Sequence, residues 1–314
     1  MKRCKRTIGA AFCALLFALT VCCSPSPSRE TAASVQPSKS DGAPALSGFS
    51  DADTGSGADQ SFQSDALRIA IRRFEDPENR QVYYVADIRM RSIDAFRAGF
   101  ANGAFESGVE NAEAFSLREH AVLAINGSFN AGLVVHDGVV YQEPDEIHNG
   151  ILILYRDGSM EAIDREAFDL AAAEARGMLH AWQFGPALVH DGKPNEALMT
   201  DSFGARHARI LFGYYEPGHY VAVAVDGRRK NAIGMDERDM TELMVSLGCK
   251  EAMNLDGGSS AIMTFMGKTV NDPPRTGMDD TGTGGRSLVD MLLFAEYDEK
   301  GNAPSLETLC DRQP

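Results

Sequence analysis

The pattern of apolar and polar residues predicts a chain rich in β-hairpins. Residues 81–90 alternate as a half-buried strand does, and residues 67–74 are expected to pair with them. The apolar runs 210–215 and 220–225, joined by a Pro-Gly turn, predict a second hairpin. Asp-Gly, a dipeptide that favours tight turns, also recurs between apolar runs. These pairs are Asp137-Gly138, Asp157-Gly158, Asp191-Gly192 and Asp226-Gly227.

Helical patterns are fewer, and two segments carry them. Residues 161–176 are alanine-rich, which favours a helix. Residues 236–247 have the clearest pattern, because their apolar residues recur at the spacing of one helix face and Gly248 follows as a stop. Strands and helices do not alternate regularly. The sequence therefore predicts an α+β fold: a strand-rich core of mixed or antiparallel sheet with several packed helices, in a single domain.

The amino terminus has the form of a secretory signal. Basic residues within 2–6 precede an uncharged run over 7–21, which is too short for a membrane span of about 20 residues. The run ends at Cys22-Cys23, in a context that resembles a bacterial lipobox. We expect residues 1–23 to be a signal peptide with lipid on Cys22 or Cys23, so that the exported protein is anchored at the bacterial cell membrane, facing outside the cytoplasm. An uncleaved anchor is the alternative.

The composition changes after these cysteines. Residues 24–65 are mostly Ser, Pro, Ala, Gly and Asp, and such a segment cannot bury enough apolar surface to offset the entropy lost on ordering. It is predicted to be a flexible linker. Residues 66–314 have the size of one large domain or two small ones, and no second low-complexity break divides them, which favours one. We expect this domain to be monomeric.

Charge and cysteine content narrow the functional classes. The formal net charge of −15 argues against nucleic acid as a partner, since nucleic-acid binding needs a basic face. Beyond the signal only Cys249 and Cys310 remain, and they form either one disulfide or two unpaired thiols. No Cys or His spacing matches a metal motif. No cofactor or metal is predicted, although the acidic loops allow a divalent cation.

The segment 254–260 carries the strongest signal for chemistry. Its sequence, Asn-Leu-Asp-Gly-Gly-Ser-Ser, lies between two apolar runs. Gly257 and Gly258 permit positive φ angles, so that successive backbone N–H groups can converge on an anion. Asp256 adds a carboxylate beside them, and the serine pair adds hydroxyl groups. A plain Asp-Gly hairpin is the alternative.

Other polar motifs flank apolar runs, and each alone is explained equally well by a turn or a solvated strand end. The run Gly284-Gly285-Arg286-Ser287 lacks the spacing of a P-loop, so we reject a nucleotide-binding loop. The remaining motifs are Asn126-Gly127, Gly185-Pro186-Ala187-Leu188-Val189, Arg206-His207-Ala208-Arg209 and Val225-Asp226-Gly227-Arg228.

In this order, and together with residues 254–260, the motifs resemble the phosphodiester glycosidase family, which includes the catalytic domain of the mannose-6-phosphate uncovering enzyme. The resemblance spans about residues 69–294, with departures at Ser128, Ala208 and Ile210. It implies hydrolysis of a sugar 1-phosphodiester, such as an N-acetylglucosamine-1-phospho linkage, at the anomeric carbon. Sugar and phosphomonoester would be released from a phosphorylated carbohydrate or cell-wall glycan.

The resemblance also implies roles for individual residues. Asp256 is the expected carboxylate that stabilises or traps an oxocarbenium-like transition state, with Asp226 as a second candidate. Arg209 and Arg286 are expected to clamp the phosphate, which arginine binds bidentately. The other substrate-binding candidates, among them two asparagines expected to orient sugar hydroxyls, are Asn126, Gly127, Gly185, Arg206, Arg228, Asn254, Gly257, Gly258, Ser259 and Ser260.

Two alternative functions stay open at this point. A non-catalytic surface lipoprotein could bind glycan or teichoic acid in the same cleft. A hydrolase of ordinary glycosides would need two carboxylates about 5–10 Å apart, and a sequence alone does not supply that separation.

Overall fold

The structure is a computed structural model that describes residues 46–49, 57–199, 205–275, 285–297 and 302–310. The predicted signal peptide, with Cys22 and Cys23, lies outside these residues, and so does most of the predicted linker. Within the described part of the chain, no helix is long and apolar enough to cross a membrane. Cys249 is buried and unpaired there, and the side chain of Cys310 falls outside the description.

Strands outnumber helices throughout, and both are numbered here in chain order. The strands are β1 (Gln60–Gln63), β2 (Leu67–Asp76), β3 (Gln81–Met90), β4 (Phe96–Phe100), β5 (Leu123–Asn126), β6 (Val134–His136), β7 (Val139–Gln142), β8 (Gly150–Tyr155), β9 (Met160–Asp164), β10 (Met178–Phe184), β11 (Ala187–His190), β12 (Lys193–Pro194), β13 (Arg209–Glu216), β14 (His219–Val225), β15 (Glu251–Leu255), β16 (Met263–Phe265), β17 (Lys268–Thr269) and β18 (Asp290–Phe294). The helices are α1 (Ala112–Arg118), α2 (Leu170–Arg176), α3 (Glu237–Ser246) and α4 (Leu306–Cys310).

The strands form three antiparallel sheets around a shared core. The largest has eight strands in the order β1-β2-β3-β14-β13-β15-β11-β12, and the two others have the orders β7-β6-β10-β8-β9 and β17-β16-β5-β18-β4. One buried apolar cluster takes side chains from all three sheets, including Phe212, Trp182 and Phe294. A shared core makes these sheets one domain, which confirms the predicted strand-rich α+β class.

Both predicted hairpins are present, since β2 pairs with β3 and β13 pairs with β14. Three of the Asp-Gly pairs also lie in tight connections between paired strands: β6 to β7, β8 to β9 and β11 to β12. Asp226-Gly227 differs, because the chain leaves the sheet after β14 and next forms α3. That departure places Asp226 at an open end of the large sheet.

One helix prediction is confirmed, and the other is wrong over its first half. α3 starts after Asp236, whose side chain accepts the Asp239 N–H while the Asp239 side chain accepts the Asp236 N–H, a reciprocal cap that satisfies two backbone donors. The helix predicted over 161–176 is limited to α2, and residues 160–164 form β9 instead. Backbone pairing of β9 with β8 outweighs the helix preference of that segment.

Folded structure begins before residue 66, where the sequence analysis placed the domain boundary. β1 pairs with β2 along its whole length and buries Phe62 in the core. Upstream of β1, the Leu46 N–H donates to the Arg91 carbonyl at 2.9 Å. A single buried aromatic ring together with backbone pairing is enough to add an edge strand from a segment of otherwise polar composition.

We predict that Phe62→Ala destabilises the domain by about 3 kcal/mol, because it empties a fully buried site. Phe74→Ala is the matched control: this ring on β2 is 39% exposed, so its loss is expected to cost about 1 kcal/mol or less. Denaturant unfolding monitored by circular dichroism measures both changes. Equal and small losses would show that β1 adds nothing to the stability of the fold.

Candidate active site

One end of the eight-stranded sheet collects candidate residues from three neighbouring strands. Arg209 opens β13, Asp226 follows the end of β14, and Asp256 follows the end of β15. Because β13 pairs in antiparallel register with both β14 and β15, the three residues lie at the same end of these strands. Adjacent strands lie about 4.8 Å apart, so the backbones of Asp226 and Asp256, with β13 between them, are separated by about 10 Å.

The Asp256 loop, residues 256–262, crosses from one sheet to another. It joins β15 of the eight-stranded sheet to β16 of a five-stranded sheet, so its flanking strands are not hairpin partners. This excludes the plain hairpin considered for the sequence. Residues 258–260 form one turn of 3-10 helix, and Gly258 has a φ of +63°, in the left-handed region that favours glycine.

The two glycines of this loop permit close packing instead of the predicted anion nest. The Gly258 N–H donates to the Ala208 carbonyl at 2.8 Å, and the Gly257 N–H donates to the Asp256 carboxylate at 2.8 Å. A Cβ atom on Gly257 would lie 2.6 Å from the Ala208 carbonyl oxygen. Because both N–H groups are bonded within the protein, they do not converge on an anion in the described loop.

Asp256 presents the carboxylate of the loop in a fixed orientation. One oxygen accepts a hydrogen bond from Arg286 Nη2 at 2.6 Å, and the other accepts the Gly257 N–H. The side chain is 15% exposed, and the Asp256 N–H donates to the Gly127 carbonyl at 3.3 Å. The carboxylate therefore reaches the surface at the sheet end with a cation on one side.

Asn126 fastens the Asp256 loop to the residue 126–130 loop. Its Nδ2 donates to the Gly127 carbonyl at 3.0 Å and to the Asp256 carbonyl at 2.8 Å. Its Oδ1 accepts the Ile262 N–H at 3.1 Å, and the side chain is buried. Since these contacts occupy both amide groups, Asn126 acts in this structure as a positioning residue.

Asp290 is a buried residue of the site that the sequence analysis did not identify. Its two oxygens accept the Ser128 N–H and the Phe129 N–H, each at 3.0 Å. Burial raises the pKa of Asp290 to about 7, and the nearby charge of Asp256 contributes in the same direction. A Cβ on Gly127 would overlap the Asp290 carboxylate, so glycine is required there. The sequence did contain a signal for this residue, because Asp290 is the one acidic residue inside the apolar run 288–294.

Two further arginines approach the Asp256 loop. The Arg228 guanidinium lies against Gly258, and its Nε donates to His207 Nδ1 at 3.2 Å. Arg209 packs along Gly257, and its guanidinium donates to two backbone carbonyls, those of Met235 (Nε, 3.3 Å) and Ala205 (Nη2, 3.3 Å). Within the described residues, no carboxylate is within 4.0 Å of either guanidinium.

Three arginines border the Asp256 loop: Arg286 pairs with the Asp256 carboxylate, and Arg209 and Arg228 pack against the two glycines that follow it. Burial lowers the pKa of His207, and the positive charges of Arg228 and Arg209 lower it further. Burial also lowers the pKa of Arg209. After burial, the charges of Arg228 and Arg209 are the next causes of the His207 shift, and a phosphate group bound beside them would offset those charges.

Asp226 lies in a different environment from Asp256. It is buried, pairs with Arg229 Nη2 at 2.7 Å and accepts the Asp272 N–H at 2.8 Å. Burial raises its pKa to about 6, although the Arg229 charge opposes that shift. Asp226 lines a pocket of about 660 Å³ with Tyr84 and several charged side chains, and Asp256 is not part of that lining. The two candidate carboxylates therefore do not share one cavity.

The other predicted residues support the loops. Arg206 pairs with Asp236 and Asp239 at the start of α3, at 3.4 and 3.1 Å. Asn254 is buried, and its Nδ2 donates to the Gly185 carbonyl at 2.7 Å.

The two serines of the Asp256 loop differ in burial, because Ser260 is buried and Ser259 is half-buried. The Ser259 carbonyl accepts the Arg286 N–H at 2.8 Å. The hydroxyl of Ser260 and the Oδ1 of Asn254 are buried and have no hydrogen-bond partner within the described residues. A ligand or a water molecule could still satisfy these two buried polar atoms.

Metal chemistry has no candidate centre in the described part of the chain, where no group of three or more His, Cys, Asp or Glu residues is arranged to hold an ion. A sequence profile of the phosphodiester glycosidase family (NAGPA) matches residues 110–295. The chain belongs to that family.

Comparison with individual proteins agrees with this assignment. The chain is 32% identical over 193 residues to the SPbeta prophage-derived uncharacterized protein YomE of Bacillus subtilis (strain 168), an alignment that covers 58% of this chain and 29% of YomE. The chain thus corresponds to less than a third of that relative.

Two solved structures share the fold at low sequence identity. The zebrafish N-acetylglucosamine-1-phosphodiester alpha-N-acetylglucosaminidase catalytic domain, auto-inhibited by its pro-peptide, has a TM-score of 0.60 at 16% identity, covering 76% of this chain and 87% of that one. A hypothetical protein from Synechocystis has a TM-score of 0.53 at 14% identity, covering 74% and 63%.

The buried carboxyl of Asp290 predicts a specific pH dependence of stability. Its pKa is about 7 in the folded protein and about 3.9 in an unfolded chain. Between these values the folded protein holds a proton that the unfolded chain has lost. The stability contributed by this group is therefore largest at low pH and is lost as the pH rises toward 7.

We predict that the difference in unfolding free energy between wild type and Asp290→Asn shrinks as the pH rises from about 5 to about 7. The limiting slope for one proton is about 1.4 kcal/mol per pH unit. Urea unfolding at several pH values measures this difference, and taking it between two variants cancels the other titrating groups. A difference that stays constant or grows with pH contradicts the buried, proton-bearing carboxyl.

Proposed function

We propose that the protein hydrolyses a sugar 1-phosphodiester at the anomeric carbon and releases the sugar and a phosphomonoester. The observation that carries this proposal is the position of Asp256: a partly exposed carboxylate that is paired with Arg286, on a loop against which Arg209 and Arg228 pack. A neutral glycoside would not need that concentration of positive charge. A phosphodiester does, because its phosphate carries a charge in both substrate and product.

In this reaction the carboxylate acts on the sugar and the arginines act on the phosphate. Cleavage of the bond between the anomeric carbon and oxygen passes through an oxocarbenium-like transition state, whose positive charge a nearby carboxylate stabilises. Asp256 supplies this carboxylate. The leaving group is a phosphate monoester with a second pKa of about 6, so it needs little protonation to depart. Arg209 and Arg228 stabilise the charge that develops on it.

Arg286 can contact both the Asp256 carboxylate and the phosphate of the substrate. Its Nη2 donates to the Asp256 carboxylate at 2.6 Å and fixes the direction in which that carboxylate points. A guanidinium has five N–H donors, so the same group can also bind a phosphate oxygen.

Asp226 remains the second candidate carboxylate. A pKa near 6 suits proton transfer close to neutral pH. Its ion pair with Arg229 also fixes the turn that presents Arg228, so we assign it first to positioning.

The family assignment supports a sugar 1-phosphodiester as the substrate class. The zebrafish relative is named for N-acetylglucosamine-1-phosphodiester. We propose N-acetylhexosamine 1-phosphodiesters of cell-envelope or extracellular glycans as the first substrates to test.

We predict that Asp256→Asn lowers kcat by about a hundredfold or more, with a modest change in KM. The amide keeps the shape and most hydrogen bonds but removes the charge that the transition state needs. The assay is release of reducing sugar and phosphomonoester from a panel of sugar 1-phosphodiesters.

Asp191→Asn is the matched control for this variant. It makes the same change in another Asp-Gly turn, where the Asp191 side chain is 81% exposed, and it is expected to leave kcat and KM unchanged. Equal kcat values for the two variants would reduce Asp256 to a turn residue. A wild-type protein that binds these substrates without cleaving them would be the glycan-binding lipoprotein considered above.

We also propose that the chain is exported and anchored by lipid on Cys22 or Cys23, because its basic amino terminus and uncharged run precede those cysteines. The double change Cys22→Ala, Cys23→Ala is predicted to release the protein from membranes or to block its processing. Membrane fractionation and gel mobility of the expressed full chain measure both effects. Unchanged fractionation and mobility would count against lipidation.

A further inference from the structure

Phe129 exposes an aromatic ring beside the site on a backbone that does not suit it. Its φ is +62°, in the left-handed region, where a bulky side chain is a genuine outlier. Its side chain is nevertheless 45% exposed, so burial of the ring in the core does not compensate for this conformation. Strain of this kind, held at the edge of a candidate site, points to a use for the ring.

Hydrogen bonds to a buried carboxylate hold the residue 126–130 loop, and with it Phe129, in this conformation. The buried Asp290 carboxylate accepts the Phe129 N–H and the Ser128 N–H at 3.0 Å each. Gly127 provides the space for this carboxylate. Glycine or asparagine at position 129 would fit the same backbone at less cost, and would make the same N–H contact. What phenylalanine adds is the ring.

The ring lies one contact away from the candidate carboxylate. The Arg286 guanidinium carbon is 4.0 Å from the Phe129 ring centroid, and Arg286 Nη2 is 2.6 Å from the Asp256 carboxylate. A cation over a ring face is attracted by the ring electrons. Arg286 thus covers one face of the partly exposed Phe129 ring with the same guanidinium that pairs with Asp256, which leaves the rest of the ring beside the candidate site for a ligand.

We propose that Phe129 is a specificity-determining residue that stacks on the sugar ring of the substrate. This inference rests on the proposed function. A pyranose has an apolar face made of C–H groups, and its burial against an aromatic ring removes apolar area from water. The arginines then select the phosphate, and Phe129 selects a sugar that presents such a face.

The test separates sugar binding from phosphate binding with three variants. Phe129→Gly relieves the backbone and removes the ring, Phe129→Leu keeps apolar bulk without a flat ring, and Phe129→Trp keeps a flat ring. Phe74→Leu is the matched control, because that ring is also partly exposed, on β2. Dissociation constants are measured for a panel of methyl hexosides and methyl N-acetylhexosaminides, and separately for inorganic phosphate.

We expect Phe129→Gly and Phe129→Leu to weaken binding of the preferred methyl glycoside about tenfold, while the dissociation constant for inorganic phosphate stays unchanged. Phe129→Trp and the Phe74→Leu control should bind as wild type does. The melting temperature of Phe129→Gly should stay close to that of wild type, since relief of the left-handed strain offsets the lost contact.

Two results would overturn the proposal. Weaker phosphate binding with unchanged glycoside binding would show that Phe129 only supports Arg286. A wild-type protein that binds no methyl glycoside of the panel would leave the ring without a sugar to stack on. Cleavage is a separate readout: if wild type binds glycoside through Phe129 but cleaves no phosphodiester, the proposed function fails and the stacking role stands.

Discussion

The hydrogen bonds of Asn126 hold the residue 126–130 loop and the Asp256 loop together, and the candidate site depends on them. Through one buried amide, the residue 126–130 loop is joined to the Asp256 carbonyl and to the Ile262 N–H. A buried polar group that loses its partner costs about 1–3 kcal/mol, so this junction is kept closed. Asp290 fixes the same loop from the other side. Together they set where the Asp256 carboxylate points.

The candidate site is rich in positive charge, although the chain as a whole is strongly negative. The formal net charge is −15, yet Arg286 pairs with Asp256, and Arg209 and Arg228 pack against the glycines of the same loop. Local charge decides what a cleft binds, whereas net charge acts mainly on solubility and encounter. An acidic protein can therefore recognise a phosphorylated glycan, provided that the cations are placed by the fold. Here the sheet end places Arg209 and the Asp256 loop side by side.

Features that depend on nearby residues were predictable, and features that depend on distant ones were not. α3 and the β2–β3 hairpin follow from local periodicity and turns, and the structure contains both. β9 was missed, because its pairing with β8 is decided by tertiary contacts. In the site, residue types pointed to Asp256 and the arginines. Asn126 donates to a carbonyl 130 positions away in the chain, and no rule of residue spacing reveals such a contact. Asp290 was missed because its partners, Ser128 and Phe129, are also distant in sequence.

In the reaction that we propose, the site breaks the bond between the anomeric carbon and oxygen and leaves the bonds to phosphorus intact. The most direct measurement is hydrolysis of a sugar 1-phosphodiester in water enriched in heavy oxygen, followed by mass spectrometry of both products. Attack at the anomeric carbon predicts the label in the sugar hydroxyl and none in the phosphomonoester. Label in the phosphate would identify a phosphodiesterase and contradict the assignment of Asp256 to oxocarbenium stabilisation.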